Sequence, residues 1–131
     1  MIKFAYTIFY VKDVLKTIFF YEKAFGFKRK FIAEKNEYGE LSTGETTLSF
    51  ANIKLAKSNL PKGFIESKLN GKLLGMEIAF TTDHVDETVK AALKAGAKLV
   101  EKSKTKPWGQ TVAYLKDING FLIEICTPMG W

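Results

Sequence analysis

The sequence predicts an α+β fold built from two tandem βαβββ modules. Two segments rich in β-branched and aromatic residues are each followed by an amphipathic helical pattern and then by further strand-like segments. The two copies also align at an offset of 71 residues, where Phe9-Tyr10-Val11-Lys12-Asp13-Val14 matches Phe80-Thr81-Thr82-Asp83-His84-Val85. A repeat of this length is one supersecondary unit that needs its twin to close a hydrophobic core.

The first module begins with a predicted strand over residues 3–11 and a helix from Val14 to Phe25. Asp13 is the expected N-cap, and Gly26 is placed to end the helix in a left-handed conformation. Apolar residues recur at helical spacing at Val14, Ile18, Tyr21 and Phe25. Three strands follow over residues 27–34, 38–41 and 46–53, and a hairpin-type turn at residues 42–45 joins the last two.

Residues 55–72 show neither helical nor strand periodicity and are predicted to be a linker. The chain is therefore interpreted as one domain over residues 1–131, with modules at about 1–54 and 73–131. The second module repeats the order of the first. It has a strand over 74–82, Asp83 as N-cap, a helix from Val85 to Ala95 ended by Gly96, and three more strands, with a loop at 106–110 and a turn at 117–120.

Composition limits the functional classes. The net charge is +6, but the lysines are scattered singly among acids, and we expect no nucleic-acid partner. Cys126 is the only cysteine, so no disulfide framework is possible and a reducing cytoplasmic setting is expected. No segment is apolar and long enough for a signal peptide or a membrane span, so no membrane partner is expected.

Strand alternation assigns one face of each sheet to the helix and leaves the other to line a concave surface. The lining mixes aromatic, small and hydroxyl side chains with two acids, which is typical of a small-molecule pocket. Glu124 lies in the apolar run 121–126, where an unpaired buried charge is costly, so it must face a cavity or a partner. The predicted ligand-contacting residues are Tyr6, Ile8, Tyr10, Thr47, Ser49, Glu77, Trp108, Tyr114 and Glu124.

Four motifs in order resemble one known family. They are Val11-Lys12-Asp13 followed by residues 20–27, Ala95-Gly96-Ala97, Pro107-Trp108-Gly109, and residues 117–124. This set is similar to the vicinal oxygen chelate superfamily, which contains glyoxalase I, bleomycin-resistance proteins and extradiol dioxygenases. The resemblance implies an open, U-shaped β surface and usually a homodimer. Trp131 follows residues 128–130 and is expected either to cap the dimer partner or to fray.

In members of that superfamily with metal chemistry, four strands each supply one ligand, usually His or Glu. The resemblance assigns these positions to Tyr6, Ser49, Glu77 and Glu124, of which only Glu124 keeps the usual residue. A catalytic divalent site uses about three protein ligands, and a neutral phenol or hydroxyl is a poor one. The single histidine, His84, falls at a helix start. We therefore expect no metal and no other cofactor, with a divalent metal as the alternative.

Three functional hypotheses remain open. The first is a metal-free protein that binds a small, aromatic molecule in a concave cavity. The second is a metal-dependent lyase, isomerase or dioxygenase of the glyoxalase kind. The third is a structural or partner-binding module whose hollow is filled by its own side chains. Glu77 and Glu124 are the candidates for acid–base catalysis and, if close, should share a proton; whether the chain is an enzyme is left open.

Overall fold

The computed structural model describes residues 1–130, so the prediction for Trp131 lies outside the described residues. The chain divides into two compact units, Met1–Glu66 and Ser67–Trp131. Each unit has one open four-stranded mixed sheet and a helix following its first strand, in the βαβββ order that the sequence predicts. No helix within residues 1–130 has the length and apolar character needed to cross a membrane.

The first unit holds four strands, two α-helices and a short 3₁₀ helix at Glu34–Asn36 between the second and third strands. In chain order the strands and α-helices are β1 (Thr7–Val11), α1 (Val14–Phe25), β2 (Lys28–Ile32), β3 (Tyr38–Ser42), β4 (Thr47–Asn52) and α2 (Ile53–Asn59). The strand order is β1-β4-β3-β2, in which β1 runs parallel to β4 and the other pairs are antiparallel.

Helix α1 has the predicted bounds and the predicted caps. The Asp13 carboxylate accepts a hydrogen bond of 2.9 Å from the Lys16 amide, and Gly26 ends the helix with φ 72°. Its apolar stripe packs on the sheet, where the Tyr21 and Phe50 rings lie 5.1 Å apart. Gly39 lies beneath the helix, and a Cβ there would collide with the Ile18 side chain.

Helix α2 occupies the start of the expected linker and was not predicted. It follows β4 directly, and the Asn52 side chain caps it by accepting from the Lys54 amide at 2.8 Å. At seven residues it is shorter than the window in which helical periodicity becomes visible. Residues 60–72 contain neither helix nor strand.

The second unit repeats the architecture. Its elements are β5 (Glu77–Thr81), α3 (Val85–Ala95), β6 (Lys98–Thr105), β7 (Thr111–Lys116) and β8 (Leu122–Cys126), in the sheet order β5-β8-β7-β6 with β5 parallel to β8. Helix α3 has the predicted bounds, but its cap differs from the prediction. The N-cap position is His84 rather than Asp83, and its side chain makes no capping hydrogen bond.

The turn between β7 and β8 is held by a buried acid. Asp117 is fully buried, and its Oδ1 accepts from the amides of Asn119 at 2.8 Å and Phe121 at 2.9 Å. These bonds satisfy the buried charge locally. They also hold the two strands in the register that places Tyr114 directly opposite Glu124.

Candidate functional site

The register of the two sheets shows which residues occupy equivalent positions. Ile8 pairs with Ser49 in the first sheet, and Ala79 pairs with Glu124 in the second. Since Ile8 and Ala79 match in the repeat, Ser49 and Glu124 are equivalent. Tyr6 and Glu77 each lie two residues before these pairs. Each unit therefore brings two of the four resemblance-assigned positions to the start and middle of its parallel strand pair.

Four residues of the second sheet form a small polar cluster in which Glu124 accepts hydrogen bonds. We call it the Glu124 cluster (Glu77, Tyr114, Glu124 and Cys126). The Tyr114 hydroxyl donates to Glu124 Oε1 at 3.1 Å. Burial raises the pKa of Glu77, and its hydrogen bond to Glu124 and the charge of Glu124 raise it further. The pKa of Glu77 is therefore raised above its usual range, although the residue itself is solvent-exposed at the start of β5.

The other two members of the Glu124 cluster stay protonated at neutral pH. Burial raises the pKa of Cys126 to about 11, with additional effects of Glu124 and Glu77. The thiol is buried, and its sulfur also lies 3.8 Å from the Phe80 carbonyl oxygen. Burial, followed by the charge of Glu124, likewise raises the pKa of Tyr114. The cluster therefore places two neutral groups, the Tyr114 hydroxyl and the Cys126 thiol, beside the carboxyl of Glu124.

The first sheet carries a second polar group, the Ser49 cluster (Tyr38, Glu40 and Ser49). Glu40 lies directly opposite Ser49, and the Tyr38 hydroxyl donates to Glu40 Oε2 at 2.7 Å. Burial raises the pKa of Tyr38 to about 12; the neighbouring Ser49 hydroxyl acts in the opposite direction, and Glu40 raises it further. Tyr38 is therefore a neutral donor across the physiological range.

Ser49 itself is fully buried, and its Oγ has no hydrogen-bond partner within residues 1–130. A hydrogen-bonding contact of the Ser49 hydroxyl lowers the pKa of Tyr38 and partly offsets the effect of burial, but this contact falls outside regular hydrogen-bond geometry. A buried hydroxyl left without a partner costs roughly 1–3 kcal/mol. Ser49 is thus an unsatisfied polar group on the sheet face that lies away from α1.

The remaining predicted residues of the first unit differ in what they already contact. Tyr6 and Ile8 are exposed, at 48% and 39%. Tyr10 is half-buried with its ring 4.8 Å from that of Phe64, and the Thr47 hydroxyl accepts from Lys30 Nζ at 2.8 Å. Tyr6 and Ile8 therefore offer open apolar surface, whereas Tyr10 and Thr47 have partners within the unit.

Trp108 lies apart from the Glu124 cluster along the sheet. It is 60% exposed in the β6–β7 turn, and its indole Nε1 donates to Gln110 Oε1 at 2.9 Å. Gln110 precedes Tyr114 by four residues, or roughly 13 Å along a strand that rises about 3.3 Å per residue. The structure does not bring Trp108 into this cluster.

With this geometry established, comparison with known proteins identifies the family. The model of the Glyoxalase/Bleomycin resistance protein/Dioxygenase superfamily matches residues 3–125. The chain belongs to this superfamily. No curated protein gave a significant match.

Solved structures of the superfamily share the fold. A glyoxalase-related enzyme from Fulvimarina pelagi is 18% identical with a TM-score of 0.82, over 98% of this chain and 89% of that one. A glyoxalase/bleomycin resistance protein/dioxygenase family enzyme from Burkholderia phytofirmans PsJN is 22% identical with a TM-score of 0.78, over 95% of this chain and 98% of that one. Identities this low support the fold alone.

Tyr38 and Glu40 were missed by the sequence analysis. Strand alternation in β3 contains the signal for them, because Gly39 and Leu41 lie in the core beneath α1. Tyr38 and Glu40 must then lie on the opposite face with Ser49. Extending the face assignment from β1 and β4 to β3 would have found both residues.

The side chains present do not fit the divalent metal that some members of the superfamily carry. Within residues 1–130, no group of three or more His, Cys, Asp or Glu residues is placed to hold an ion. The Glu124 cluster offers two carboxyls, one of them with a raised pKa, and a buried thiol whose pKa is raised to about 11. His84 is exposed at the start of α3. A transition-metal site uses about three ligands that are imidazoles or deprotonated side chains. The side chains available here do not provide such a set.

Proposed function

We propose that this chain binds a small, aromatic molecule and does so without a transition metal. The observation that carries the proposal is the buried Ser49 hydroxyl, which has only the Tyr38 hydroxyl near it and forms no hydrogen bond of regular geometry within residues 1–130. It occupies a position that the family resemblance assigns to a metal ligand. A ligand with a hydrogen-bonding group would satisfy it, because buried polar groups in folded proteins are nearly always paired.

The surroundings of Ser49 favour an aromatic ligand. Ile8 lies directly beside Ser49 in the neighbouring strand and is exposed. Tyr6, also exposed, is close enough to Tyr38 to raise its pKa. Aromatic pairs contribute about 0.5–1.5 kcal/mol beyond the apolar area that they bury. This face therefore combines ring surface with one polar anchor, the composition of small-molecule sites.

The Glu124 cluster extends the proposal to the second unit. The carboxyl of Glu124 accepts from Tyr114 and Glu77 and is half-buried, so it offers an acceptor for a donor or cationic group. We propose that Glu77 and Glu124 bind ligand in this way. Glu77 and Glu124 are also the candidate residues for acid–base catalysis if the protein transforms its ligand.

A matched set of naphthalene compounds tests this function. Naphthalenes that carry a hydroxyl, a carboxylate or a trimethylammonium group would be titrated while melting temperature and amide NMR shifts are recorded. At least one should bind saturably and raise the melting temperature. Absence of a saturable shift for all three would count against the proposal.

Substitution of Ser49 separates a binding role from a structural one. Ser49→Ala should weaken the bound naphthalene at least fivefold. It should leave the melting temperature of the ligand-free protein unchanged or higher, since the unpaired hydroxyl is removed. Ser58→Ala is the matched control, because the Ser58 hydroxyl bonds to the Leu55 carbonyl on α2; it should not alter affinity. Equal effects of the two variants would remove Ser49 from the site.

Metal analysis tests the second part of the proposal. Protein purified without a histidine tag, and then incubated with Ni²⁺, Zn²⁺, Fe²⁺ or Mn²⁺, should retain far less than one equivalent. Near-stoichiometric metal would instead favour the alternative, a metal-dependent lyase, isomerase or dioxygenase.

We also propose that the chain is a homodimer that works in a reducing, cytoplasmic setting. Its single buried thiol needs no oxidising compartment. Ile2 and Phe4, in the segment before β1, are 99% and 83% exposed, and a second copy would cover them. Light scattering should give twice the chain mass, and Phe4→Asp should give the monomer, while Phe19→Asp on the exposed face of α1 should not.

A further inference from the structure

A depression in the second unit lies outside both clusters. Its volume is about 490 Å³, within the range of roughly 300–1,000 Å³ that small-molecule sites occupy. One wall is formed by residues 69–73, and the other by residues 98–100 of β6 together with Lys116 of β7. We call it the lysine groove.

The wall formed by residues 69–73 is fastened to the sheet. Lys116 Nζ donates to the carbonyl oxygens of Leu69 at 3.2 Å and Gly71 at 2.9 Å. The segment before it also crosses the β7–β8 turn, where the Ser67 hydroxyl donates to the Asn119 carbonyl at 2.8 Å. The groove is therefore part of the folded unit and does not depend on a loose loop.

The charge of the groove is uncompensated. Lys98 and Lys116 lie directly opposite each other in the β6–β7 register, and Lys72 stands on the other wall. Like charges directly opposed across strands are destabilising. No acidic residue lines the groove, and the ion pairs seen within residues 1–130, Arg29–Glu22 and Lys57–Glu66, belong to the first unit.

Apolar side chains share the groove with these ammonium groups. Leu73 is 36% exposed and Leu69 is half-buried, and both belong to the wall formed by residues 69–73. An inorganic anion would neutralise the lysines but leave these leucines in water. An uncharged apolar molecule would do the reverse.

We propose that the lysine groove binds a small organic anion. Its carboxylate or phosphate head would lie on the ammonium groups of Lys72, Lys98 and Lys116, and its apolar body would cover the leucines. The Lys116 ammonium has three N–H donors. Two of them bond to the carbonyl oxygens of Leu69 and Gly71, and the third is available to the head group. This site is independent of the proposed aromatic ligand.

Titration with octanoate tests the site, monitored by calorimetry and amide NMR shifts. Octanoate should bind saturably, with shifts in residues 69–73 and 98–100. Acetate lacks the apolar body and octanol lacks the charge, so both should bind at least tenfold more weakly. Octyl phosphate, titrated in parallel, identifies which head group the lysines prefer. Equal affinity for octanol and octanoate would overturn the proposal.

Lys98→Gln should weaken octanoate at least fivefold. Its melting temperature without ligand should be unchanged or higher, because the repulsion with Lys116 is relieved. Lys104→Gln is the matched control, since Lys104 lies on the same strand opposite Val112 and outside the groove. If the two variants weaken octanoate equally, the groove is not the site.

The two proposals fail separately. Lys98→Gln should leave the affinity for the naphthalenes that carry a hydroxyl or a trimethylammonium group unchanged, and Ser49→Ala should leave the affinity for octanoate unchanged. Loss of octanoate binding in Ser49→Ala would show that octanoate occupies the Ser49 face. It would overturn the proposal that the lysine groove is the anion site.

Discussion

At the scale of single residues, Glu124 determines the protonation of its neighbours. It accepts from Tyr114 at 3.1 Å and from the carboxyl of Glu77, so the second acid keeps its proton to higher pH than an isolated carboxyl does. The expected juxtaposition of the two acids is present in the structure. Each acid therefore lies close enough to the other for Glu124 to favour the protonated form of Glu77.

This arrangement makes stability depend on pH in a defined direction. The pKa of Glu77 is raised in the folded state above its ordinary value of 4.5. At pH values between the pKa of Glu77 in the unfolded chain and its raised pKa in the folded protein, the folded protein binds more protons. This group therefore makes the free energy of unfolding fall as pH rises. Glu77→Gln should remove that contribution. The free energy of unfolding of the variant minus that of the wild type should therefore be larger at pH 7 than at pH 4.

Urea unfolding at a series of pH values measures this difference. Glu87→Gln, on the solvent side of α3, provides the control and should follow the wild-type pH dependence. A constant difference between Glu77→Gln and the wild type from pH 4 to 8 would contradict the raised pKa of Glu77.

Cys126 should be chemically inert in the folded protein. Burial and the charge of Glu124 raise its pKa to about 11, and only the thiolate is nucleophilic. Alkylation by iodoacetamide at pH 8 should be at least a hundredfold slower than for the urea-unfolded chain, as followed by mass spectrometry. Rapid modification under native conditions would show that the cluster opens to solvent.

At the scale of elements, the two equivalent helices begin differently. Asp13 caps α1 through its carboxylate, whereas the corresponding position before α3, His84, makes no side-chain cap. The sequence analysis assigned the second cap to Asp83, because aspartate is a favoured N-cap residue. This prediction is one residue too early, because the cap depends on the backbone path of the preceding turn and not on residue type alone.

The caps can be compared by paired substitutions. Asp13→Ala should lower the free energy of unfolding by about 1 kcal/mol, the usual effect of losing an N-cap acceptor. His84→Ala should change it by less than about 0.3 kcal/mol, because no capping bond is lost. Urea unfolding measures both; equal losses would mean that His84 stabilises α3 by another contact.

At the scale of the whole molecule, the sequence predicted what is encoded locally. The bounds of α1 and α3 follow from apolar spacing and terminal glycines, and the repeat predicted the second sheet from the first. Strand ends were less accurate: residues 3–6 were predicted as strand, yet β1 begins at Thr7 because it has pairing partners on β4 only over Thr7–Val11. The unpaired Ser49 hydroxyl and the lysine groove depend on contacts between distant segments, which residue patterns do not reveal.

The net charge of +6 should not produce nucleic-acid affinity at physiological salt. The excess is +4 in residues 1–66 and +2 in residues 67–131, and the groove lysines are mixed with leucines rather than aligned along a phosphate track. Fluorescence anisotropy of a labelled 25-base-pair duplex in 0.15 M NaCl should show no binding tighter than about 10⁻⁴ M, the weak end of non-specific association. Micromolar binding that weakens with salt would contradict this prediction.

The fastening of residues 67–71 has a practical consequence for engineering. The nearby turn Leu60–Gly63 is closed by one backbone hydrogen bond of 2.8 Å and is exposed, so a foreign segment inserted after Lys62 would extend a surface loop at little entropic cost. The same insertion at Asn70 would detach the Lys116 ammonium from its carbonyl acceptors. A fluorescent reporter domain therefore belongs at position 62, and a deliberate loosening of the groove belongs at position 70.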